Sequence, residues 1–453
     1  MTGREAALKA LGAFRRDGAL PDKDFGLPHD GDGRDARETA LAAQLFYGVL
    51  QNMAYCDYIA SVYSTMDLRK LHPHILDILR ISIYQILFLT RVPHSAAVNE
   101  GVALAKKYSN PRAAGFANAV LRKVSGDAAR DNLPQIASDD VIQYLSVKYS
   151  HPEWLVREFC GRLGKDGAEL LLMAGNSPDL PMTAQVNTLL TDTGAVLSSL
   201  AADGADAVEH GWLNGCVLMR GHGRIERLSA FIDGHIYIQD AASRLAAIAA
   251  GPKPGDFVID GCAAPGGKSL AAAILMKNTG RIAAYDVSET KLGMIRESAS
   301  RLRIGIIEAA RQDAREPDAA LKEKADVVLA DVPCSALGVI RKKPDIRYKA
   351  EREIAGLPEL QKEILFNLSS YVKPGGTILY STCTVLKREN VDVVEAFLRE
   401  RKEFSAAPFT LPGIGEAPGG MITLWPHIHE TDGFFICKMV RGQGSGIRGQ
   451  ETK

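Results

Sequence analysis

Between residues 236 and 440 the sequence alternates short apolar segments with amphipathic ones, and this pattern constrains the fold more than any other feature. The apolar segments are FVIDG, RIAAYD, ADVVLAD and GTILYST. Apolar strands that are separated by helices need crossover connections, and such connections join parallel strands. The sequence therefore predicts an α/β domain built on a doubly wound sheet.

The rest of the 453-residue chain divides by periodicity and composition. Before residue 125, apolar residues recur at three- and four-residue spacing, which indicates helices. A polar stretch interrupted by proline then indicates a linker, and mixed helix and strand patterns follow it. We predict five segments: an all-α N-terminal domain (1–128), a linker (129–145), a small α+β module (146–235), the α/β domain (236–440) and a disordered tail (441–453).

The most apolar helical segment, HILDILRISIYQILFL, contains Asp77, Arg80 and Gln85, which favours a buried helix over a membrane span. The seven cysteines are scattered and form no CxxC pair, which argues against a disulfide framework or a zinc ribbon. His427 and His429 lack a nearby partner and favour loop structure over a metal site. We expect a monomeric, cytoplasmic protein with no metal and no membrane partner.

Basic and acidic residues balance at 54 each, so bulk charge does not indicate a nucleic-acid binder. The local distribution differs. Residues 66–125 hold nine basic side chains against three acidic ones, and the run RKKPDIRYK (341–349) holds five against one. Each patch suits either a solvated surface or a site for a polyanion such as RNA.

The segment VIDGCAAPGGKS (258–269) has the form of a strand, a tight turn of small residues and a helix start. A Walker A loop needs a leading glycine where Cys262 stands, and Pro265 removes an N–H from the phosphate cradle. A dinucleotide loop needs G-x-G-x-x-G, which is absent. The favoured interpretation is a loop for S-adenosylmethionine, in which small residues permit close backbone approach and a helix N-terminus faces the ligand carboxylate. A phosphate-loop ATPase remains the alternative.

Acidic residues at successive strand ends support a cofactor site. Asp286 lies 19 residues beyond Gly267, where a ribose-binding acid is expected. Asp313 is expected on the adenine side. A helix N-cap explains each acid taken alone at least as well. Together with Asp331, however, three acids stand in register with three strand ends.

Two cysteines follow two apolar strands in the same way, Cys334 in VVLADVPC and Cys383 in GTILYSTC. A lone cysteine in such a place is usually a small buried hydrophobe. If the two strands are neighbours, about 4.8 Å apart, both thiols lie at one sheet edge beside the cofactor. Asp331 is then placed to meet the substrate base or the methyl donor.

A thiol beside a methyl donor suits methylation of a pyrimidine carbon. C5 of cytosine is a poor nucleophile until a thiolate adds to C6. The thiolate needs a lowered pKa, which the run 341–349 is expected to provide while it also holds RNA phosphates. The base must come from a single-stranded loop or be flipped out of a stack. The residue pattern alone does not decide which thiol attacks.

The motifs CAAPGGKS, DVPCSALG and STCTVLKREN resemble those of the RNA (cytosine-5)-methyltransferases of the NOL1/NOP2/Sun family, as does PHIHETDGFFICKM. The resemblance covers residues 236–440 and implies a Rossmann-like, S-adenosylmethionine-dependent methyltransferase domain. It implies that Cys383 is the nucleophile and that Cys334 assists product release. It also implies a cofactor site formed by Cys262, Ala263, Ala264, Pro265, Gly266, Gly267, Lys268, Asp286, Asp313 and Asp331.

The N-terminal segments LRISIYQILFL, VPHSAAVNEGVALAK and FANAVLRKV are similar to NusB, a helical RNA-binding domain. The pairing of these two domains resembles the bacterial RsmB (Sun) subfamily, which implies small-subunit ribosomal RNA as the partner. Three residues depart from the family pattern: Ser269 replaces a usual Thr, Gln185 a frequent Arg, and Lys343 a common His or Asn. The alternatives are a tRNA cytosine-C5 methyltransferase and a non-catalytic RNA-binding factor.

Overall fold

The computed structural model describes residues 1–27, 34–177, 180–221 and 223–443. Residues 444–453 of the predicted tail lie outside the described residues. The chain forms two compact units. Unit 1 comprises Met1–Asn176 and Lys343–Tyr348, and unit 2 comprises Ser177–Lys342 and Lys349–Lys453.

Unit 1 is helical, as the apolar spacing predicts. Its helices start at residues suited to cap them. The first begins with a capping box between Thr2 and Glu5, and the fifth with an Asn110 cap followed by Pro111. The α-helices described in this unit are α1 (Gly3–Asp17), α2 (Arg34–Tyr63), α3 (Pro73–Phe88), α4 (His94–Tyr108), α5 (Pro111–Ala128), α6 (Val141–Tyr149) and α7 (Glu153–Gly175).

Helix α3 carries the polar residues that argue against a membrane span. Asp77 is 1% exposed and pairs with Arg15 at 3.2 Å and Arg80 at 3.0 Å. Arg80 also contacts Asp57 at 2.7 Å, so the buried charges are paired. No helix in the described ranges has the length and apolar content that crossing a bilayer requires.

The structure groups residues 129–175 differently from the predicted boundaries. Helix α6 starts inside the predicted linker, because the Asp140 carboxylate accepts hydrogen bonds from the N–H groups of Ile142 and Gln143. Helices α6 and α7 lie in compact unit 1, and the strands that follow them lie in unit 2. Helix α7 is interrupted at Gly164, where φ is +70°.

Unit 2 opens with a small antiparallel sheet in the strand order β2-β3-β1-β4. Its elements are β1 (Met182–Val186), α8 (Thr193–Ala202), β2 (Asp206–Glu209), β3 (Cys216–Arg220), α9 (Ser229–Ile232) and β4 (Ile236–Ile238). Gln185 is fully buried in β1, and its amide oxygen accepts a hydrogen bond from Arg244 at 2.7 Å. Because the Gln185 side chain is buried, it is not available to contact RNA at the surface.

The second sheet of unit 2 has the path β10-β14-β9-β8-β5-β6-β7, with β13 paired to β14. Strands β9, β8, β5, β6 and β7 are parallel, which confirms the predicted doubly wound sheet. The elements are α10 (Ala241–Ala250), β5 (Phe257–Asp260), α11 (Gly267–Leu275), β6 (Arg281–Asp286), α12 (Glu289–Arg301), β7 (Ile307–Arg311), β8 (Ala325–Asp331), α13 (Glu351–Ile354), α14 (Leu357–Ser369), β9 (Val372–Thr382), α15 (Val391–Glu400), β10 (Phe404–Ala406), β11 (Phe409–Leu411), β12 (Gly415–Ala417), β13 (Met421–Leu424), α16 (Pro426–His429) and β14 (Phe434–Arg441).

The central strands are buried on both faces. Val258 and Ile259 are adjacent in β5 and point to opposite sides of the sheet, yet both are fully buried. Val258 packs in a core with Leu270 of α11, whereas Ile259 packs in a core with Leu365 of α14. Helices on both faces explain why these strands read as continuous apolar runs.

The basic run 341–349 is mostly internal, which contradicts its interpretation as a free phosphate-binding patch. Arg341 and Lys342 pair with Asp432 and Asp240. Lys349 Nζ donates to the carbonyl of Ser335 at 2.8 Å. Four of the five basic side chains, counting Arg347, have partners inside the protein. Lys343 is exposed.

Arg347 is fully buried in unit 1 and hydrogen-bonds the ends of its helices. One guanidinium nitrogen, Nη1, shares its two hydrogens among four oxygens within 3.4 Å, the carbonyls of Gln51, Tyr149 and Ser150 and the amide oxygen of Asn176, and Nη2 donates to the carbonyl of Gly175. Burial lowers the pKa of Arg347 to about 10. The segment Lys343–Tyr348 is thereby part of the helical unit.

We expect Arg347→Met to loosen α6 and α7, because it removes the guanidinium donor from the Ser150 and Gly175 carbonyls and from the Asn176 amide oxygen. The local free energy of opening should fall by about 2–3 kcal/mol. Hydrogen–deuterium exchange of amides in these helices should then be roughly 30- to 150-fold faster. Lys343→Met, at an exposed position of the same segment, is the control and should leave exchange unchanged. Equal exchange in both variants would contradict the role of Arg347.

Candidate active site

The two predicted thiols meet at one edge of the large sheet. Strands β8 and β9 are parallel neighbours in which Asp331 lies opposite Ser381. Cys334 and Cys383 follow these strands, and their sulfur atoms lie 3.3 Å apart. Both are free thiols and partly exposed, so a substrate can reach them. The structure thus brings together the two cysteines that the sequence places at equivalent strand ends.

Close backbone packing holds the Cys383 segment. The N–H of Gly338 donates to the carbonyl of Cys383 at 2.9 Å, and the N–H of Gly433 donates to the carbonyl of Gly338 at 2.8 Å. A Cβ atom on Gly338 would overlap the carbonyl oxygen of Gly433. Glycine is required at position 338 because three backbone segments meet there.

The two thiols have unequal surroundings. The hydrogen bond from Cys334 lowers the pKa of Cys383, and Lys268 adds a smaller effect in the same direction, against burial and the charge of Asp331. The pKa of Cys334 is raised well above its ordinary value by its hydrogen bond to Cys383 and by burial. These effects favour ionisation of Cys383 over ionisation of Cys334, and with it Cys334 as the S–H donor.

Asp331 is fixed beside the thiols by two partners. Lys268 Nζ contacts one carboxylate oxygen at 2.6 Å, and the Ser381 hydroxyl donates to the other at 2.7 Å. Lys268 is 6% exposed, donates to the Ser243 hydroxyl at 3.1 Å and lies 5.0 Å from the ring centroid of Phe434. The sequence predicts Lys268 only as a cofactor-loop residue, whereas the structure also ties it to Asp331.

The loop 262–268 connects β5 to α11 as predicted. Gly266 has φ +106°, a conformation that suits glycine, and its N–H donates to Ala263 at 2.7 Å. The peptide between Ala264 and Pro265 is cis. Asp286 at the end of β6 accepts hydrogen bonds from the N–H groups of Ala264 at 3.3 Å and Ser288 at 2.9 Å. This carboxylate fixes both the loop and the start of α12.

Burial raises the pKa of the Cys262 thiol, and the charges of four carboxylates act in the same direction, which keeps the thiol protonated; they belong to Asp260, Asp331, Asp286 and Asp313. Sequence reasoning missed Asp260, although it ends the strand FVID as the other acids end theirs. Burial raises the pKa of Asp260 to about 7, and its Oδ1 has no hydrogen-bond partner among the described residues. Its Oδ2 accepts from Ser269 at 2.7 Å. Ser269, which stands where a threonine is usual, thus keeps the hydroxyl group that donates to Asp260.

Asp313 lies after β7, as predicted, but its carboxylate is engaged by a neighbour. Arg315 contacts it at 2.6 Å, and this hydrogen bond lowers the pKa of Asp313. Of the predicted cofactor-binding acids, Asp286 contacts the backbone of the loop 262–268 and Asp331 contacts Lys268 and Ser381. Asp313 instead pairs with Arg315.

Comparison with known proteins agrees with this arrangement. Family models match at residues 247–440 (16S rRNA methyltransferase RsmB/F), 1–126 (NusB family) and 151–226 (RsmF/B-like ferredoxin-like domain). The chain is 37% identical over 407 residues to a probable ribosomal RNA small subunit methyltransferase B of Bacillus subtilis, covering 88% of this chain and 90% of the relative. This chain belongs to the RsmB/F methyltransferase family.

Other relatives support the same family. The ribosomal RNA small subunit methyltransferase B of Pectobacterium atrosepticum is 31% identical, with 91% of this chain and 92% of the relative covered. The crystal structure of PH0851 is similar with a TM-score of 0.75 and 28% identity, covering 96% of this chain and 98% of that one. The RsmB/F methyltransferase assignment therefore extends over nearly the whole chain, including the helical N-terminal region.

The hydrogen bond between the thiols makes a pH-dependent prediction. With Cys334 as the donor, its hydrogen bond lowers the pKa of Cys383, so Cys334→Ala should raise that pKa. The alkylation of Cys383 by iodoacetamide should then reach its half-maximal rate at a higher pH, as peptide mass spectrometry would show. Cys160→Ala, which removes a thiol from unit 1, should leave this midpoint in place. A midpoint that falls or stays in Cys334→Ala would show that Cys334 is not the donor.

Proposed function

We propose that the protein methylates C5 of a cytidine in 16S ribosomal RNA, with S-adenosylmethionine as the methyl donor and Cys383 as the nucleophile. The thiol pair carries this proposal: two free thiols 3.3 Å apart, at the ends of adjacent parallel strands, beside an acid-lined loop. Family membership supports methylation of ribosomal RNA. The thiol geometry supports carbon C5 as the methylated atom, because this chemistry needs a thiolate.

The residues around the loop fit S-adenosylmethionine. Gly266 and Gly267 let the loop pack tightly against the protein, since a Cβ would lie 3.0 Å from Ile295 or from Gln239, respectively. Asp286 suits a ribose diol. The buried Oδ1 of Asp260, which has no partner in the described part of the chain, suits the ligand's ammonium group. Bound there, S-adenosylmethionine would supply an electrophilic methyl group; residues 262–268, Asp286, Asp331 and, after release from Arg315, Asp313 would hold it.

In the first step, the Cys383 thiolate adds to C6 of the cytosine and forms a sulfur–carbon bond. The electrons of the C5–C6 double bond shift, so that C5 becomes nucleophilic and accepts the methyl group. Asp331, oriented by Lys268 and Ser381, is placed to accept a hydrogen bond from the amino edge of the base. The carboxylate is fixed before substrate binds, which reduces the cost of orienting it.

In the second step, solvent water takes the proton from C5, the C5–C6 double bond forms again and the bond between C6 and Cys383 breaks. The leaving group is a thiolate, and the S–H of Cys334 donates a hydrogen bond to it. Since this donor lies 3.3 Å from the leaving sulfur, it stabilises the departing charge. Cys334 therefore assists product release.

The rest of the chain is proposed to bind the RNA. Several cations of unit 1 are exposed and suit contacts with phosphates; they are Lys70, Arg91, Lys106, Arg112, Arg122 and Lys123. The target cytidine is proposed to lie in a single-stranded region or to be flipped from a stack. We place the enzyme in the cytoplasm as a monomer, where its free cysteines stay reduced.

Substituting each cysteine should separate the two roles. With S-adenosylmethionine and undermethylated 16S rRNA, Cys383→Ala should lower methyl transfer by at least about 10³-fold and form no covalent protein–RNA complex. Cys334→Ala should still attack, so it should accumulate a denaturant-resistant complex. Denaturing gel electrophoresis measures the complex, and labelled methyl groups measure transfer. A complex formed by Cys383→Ala but not by Cys334→Ala would reverse the assignment.

The same assay distinguishes the alternatives. Transfer to tRNA but not to 16S rRNA would favour the tRNA methyltransferase, and no transfer to any RNA would favour the non-catalytic binding factor. ATP hydrolysis without binding of S-adenosylmethionine would favour the phosphate-loop alternative. Bisulfite sequencing of RNA from a deletion strain would then identify the cytidine.

A further inference from the structure

Glu389 is fully buried beneath the active site and has no part in the steps above. Its Oε2 accepts a hydrogen bond from the backbone N–H of Ser335 at 2.8 Å and another from the side-chain amide of Gln361 at 2.8 Å. Ser335 directly follows Cys334, so this carboxylate fixes the turn that carries the thiol. Its other oxygen, Oε1, is buried without a hydrogen-bond partner among the described residues.

Gln361 of α14 extends the same support. The Gln361 amide also donates to the carbonyl of Pro333 at 3.0 Å. The residues on both sides of Cys334 in the chain, Pro333 and Ser335, are therefore fixed by hydrogen bonds with Gln361 and Glu389. The Glu389 backbone is held in turn, because the Tyr380 hydroxyl donates to its carbonyl at 2.6 Å. Burial of a carboxylate costs free energy of folding, so a buried carboxylate at this position calls for a functional explanation.

We propose that Glu389 is a positioning residue whose negative charge keeps the Cys334 thiol protonated, so that Cys334 donates its hydrogen bond and Cys383 becomes the reactive thiolate. Its consequence for methylation rests on the proposed function. A buried negative charge disfavours a second one nearby, so a thiolate at Cys334 is opposed from below. The same charge acts less on Cys383, which has Lys268 near it.

The groups that face Cys334 agree with this assignment. Cys383 lies on one side, Glu389 lies below, and the backbone N–H of Ala336 hydrogen-bonds the sulfur and opposes their effect. The phenol of Tyr380 is the remaining titratable neighbour on β9, and burial keeps its pKa well above the ordinary value. Lys349 contacts the Ser335 carbonyl, which places a cation on the far side of the turn.

The test is the labelling ratio of the two thiols in the protein alone. Limited alkylation with iodoacetamide at pH 8, followed by peptide mass spectrometry, gives the label at Cys334 relative to Cys383. In the natural protein Cys383 should carry most of the label. Glu389→Gln keeps the size of the side chain but removes its charge, so the ratio should rise by about tenfold or more. Because no RNA is used, this result is independent of whether C5 methylation is correct.

Gln361→Met is the matched control, since it removes hydrogen bonds from the same carboxylate and keeps the charge. Its ratio should stay close to that of the natural protein. Cys56 and Cys437 are buried and should remain unlabelled in any folded variant. If Glu389→Gln does not fold, Glu389→Asp, which withdraws the carboxylate from the turn, should raise the ratio to a smaller extent. An unchanged ratio in a folded Glu389 variant, or an equal rise in Gln361→Met, would overturn the proposal.

Discussion

The parallel pairing of β8 with β9 is the constraint on which the active site depends. It sets Asp331 opposite Ser381 and brings the residues that follow each strand to the same edge. If β8 slipped by one residue against β9, each of its side chains would move to the opposite face of the sheet. Because both faces are packed, those side chains would no longer fit their neighbours, and this packing fixes the register. The contact between Cys334 and Cys383 is a consequence of this register, tightened by the hydrogen bond from Gly338 to the Cys383 backbone.

The two thiols are chemically alike in sequence and are made different by their surroundings. The charge of Lys268 favours the ionised form of Cys383, whereas the charge of Glu389 opposes ionisation of Cys334. These environments suit a nucleophile and a donor to the leaving group, respectively. The geometry therefore supports, from physical causes, the roles that the family resemblance implies for each cysteine.

Much of this arrangement could be predicted from the sequence because it depends on local patterns. The alternation of apolar and amphipathic segments predicts the sheet, and equivalent positions after two strands predict the meeting of the thiols. Glu389 could not be identified as a site residue, since nothing local distinguishes a carboxylate that becomes buried. Asp260 could have been, because it ends its strand as Asp286 and Asp331 end theirs. The run 341–349 misled for the same reason: Arg347 looks solvated in sequence, and only the tertiary fold shows that helix ends enclose it.

The charges around the site suggest how the nucleophile is activated. The sequence predicts activation by the basic run, but Arg341 and Lys342 of that run pair with Asp432 and Asp240. The charges that act on Cys383 include Asp331 and Asp432, which oppose a thiolate. The hydrogen bond from Cys334 and the single cation of Lys268 act against them. An acid-lined loop of this kind suits a cationic methyl donor, because a positive sulfonium would relieve the excess negative charge. Binding of such a donor should therefore favour the Cys383 thiolate, so that the nucleophile becomes most reactive when the methyl group is present.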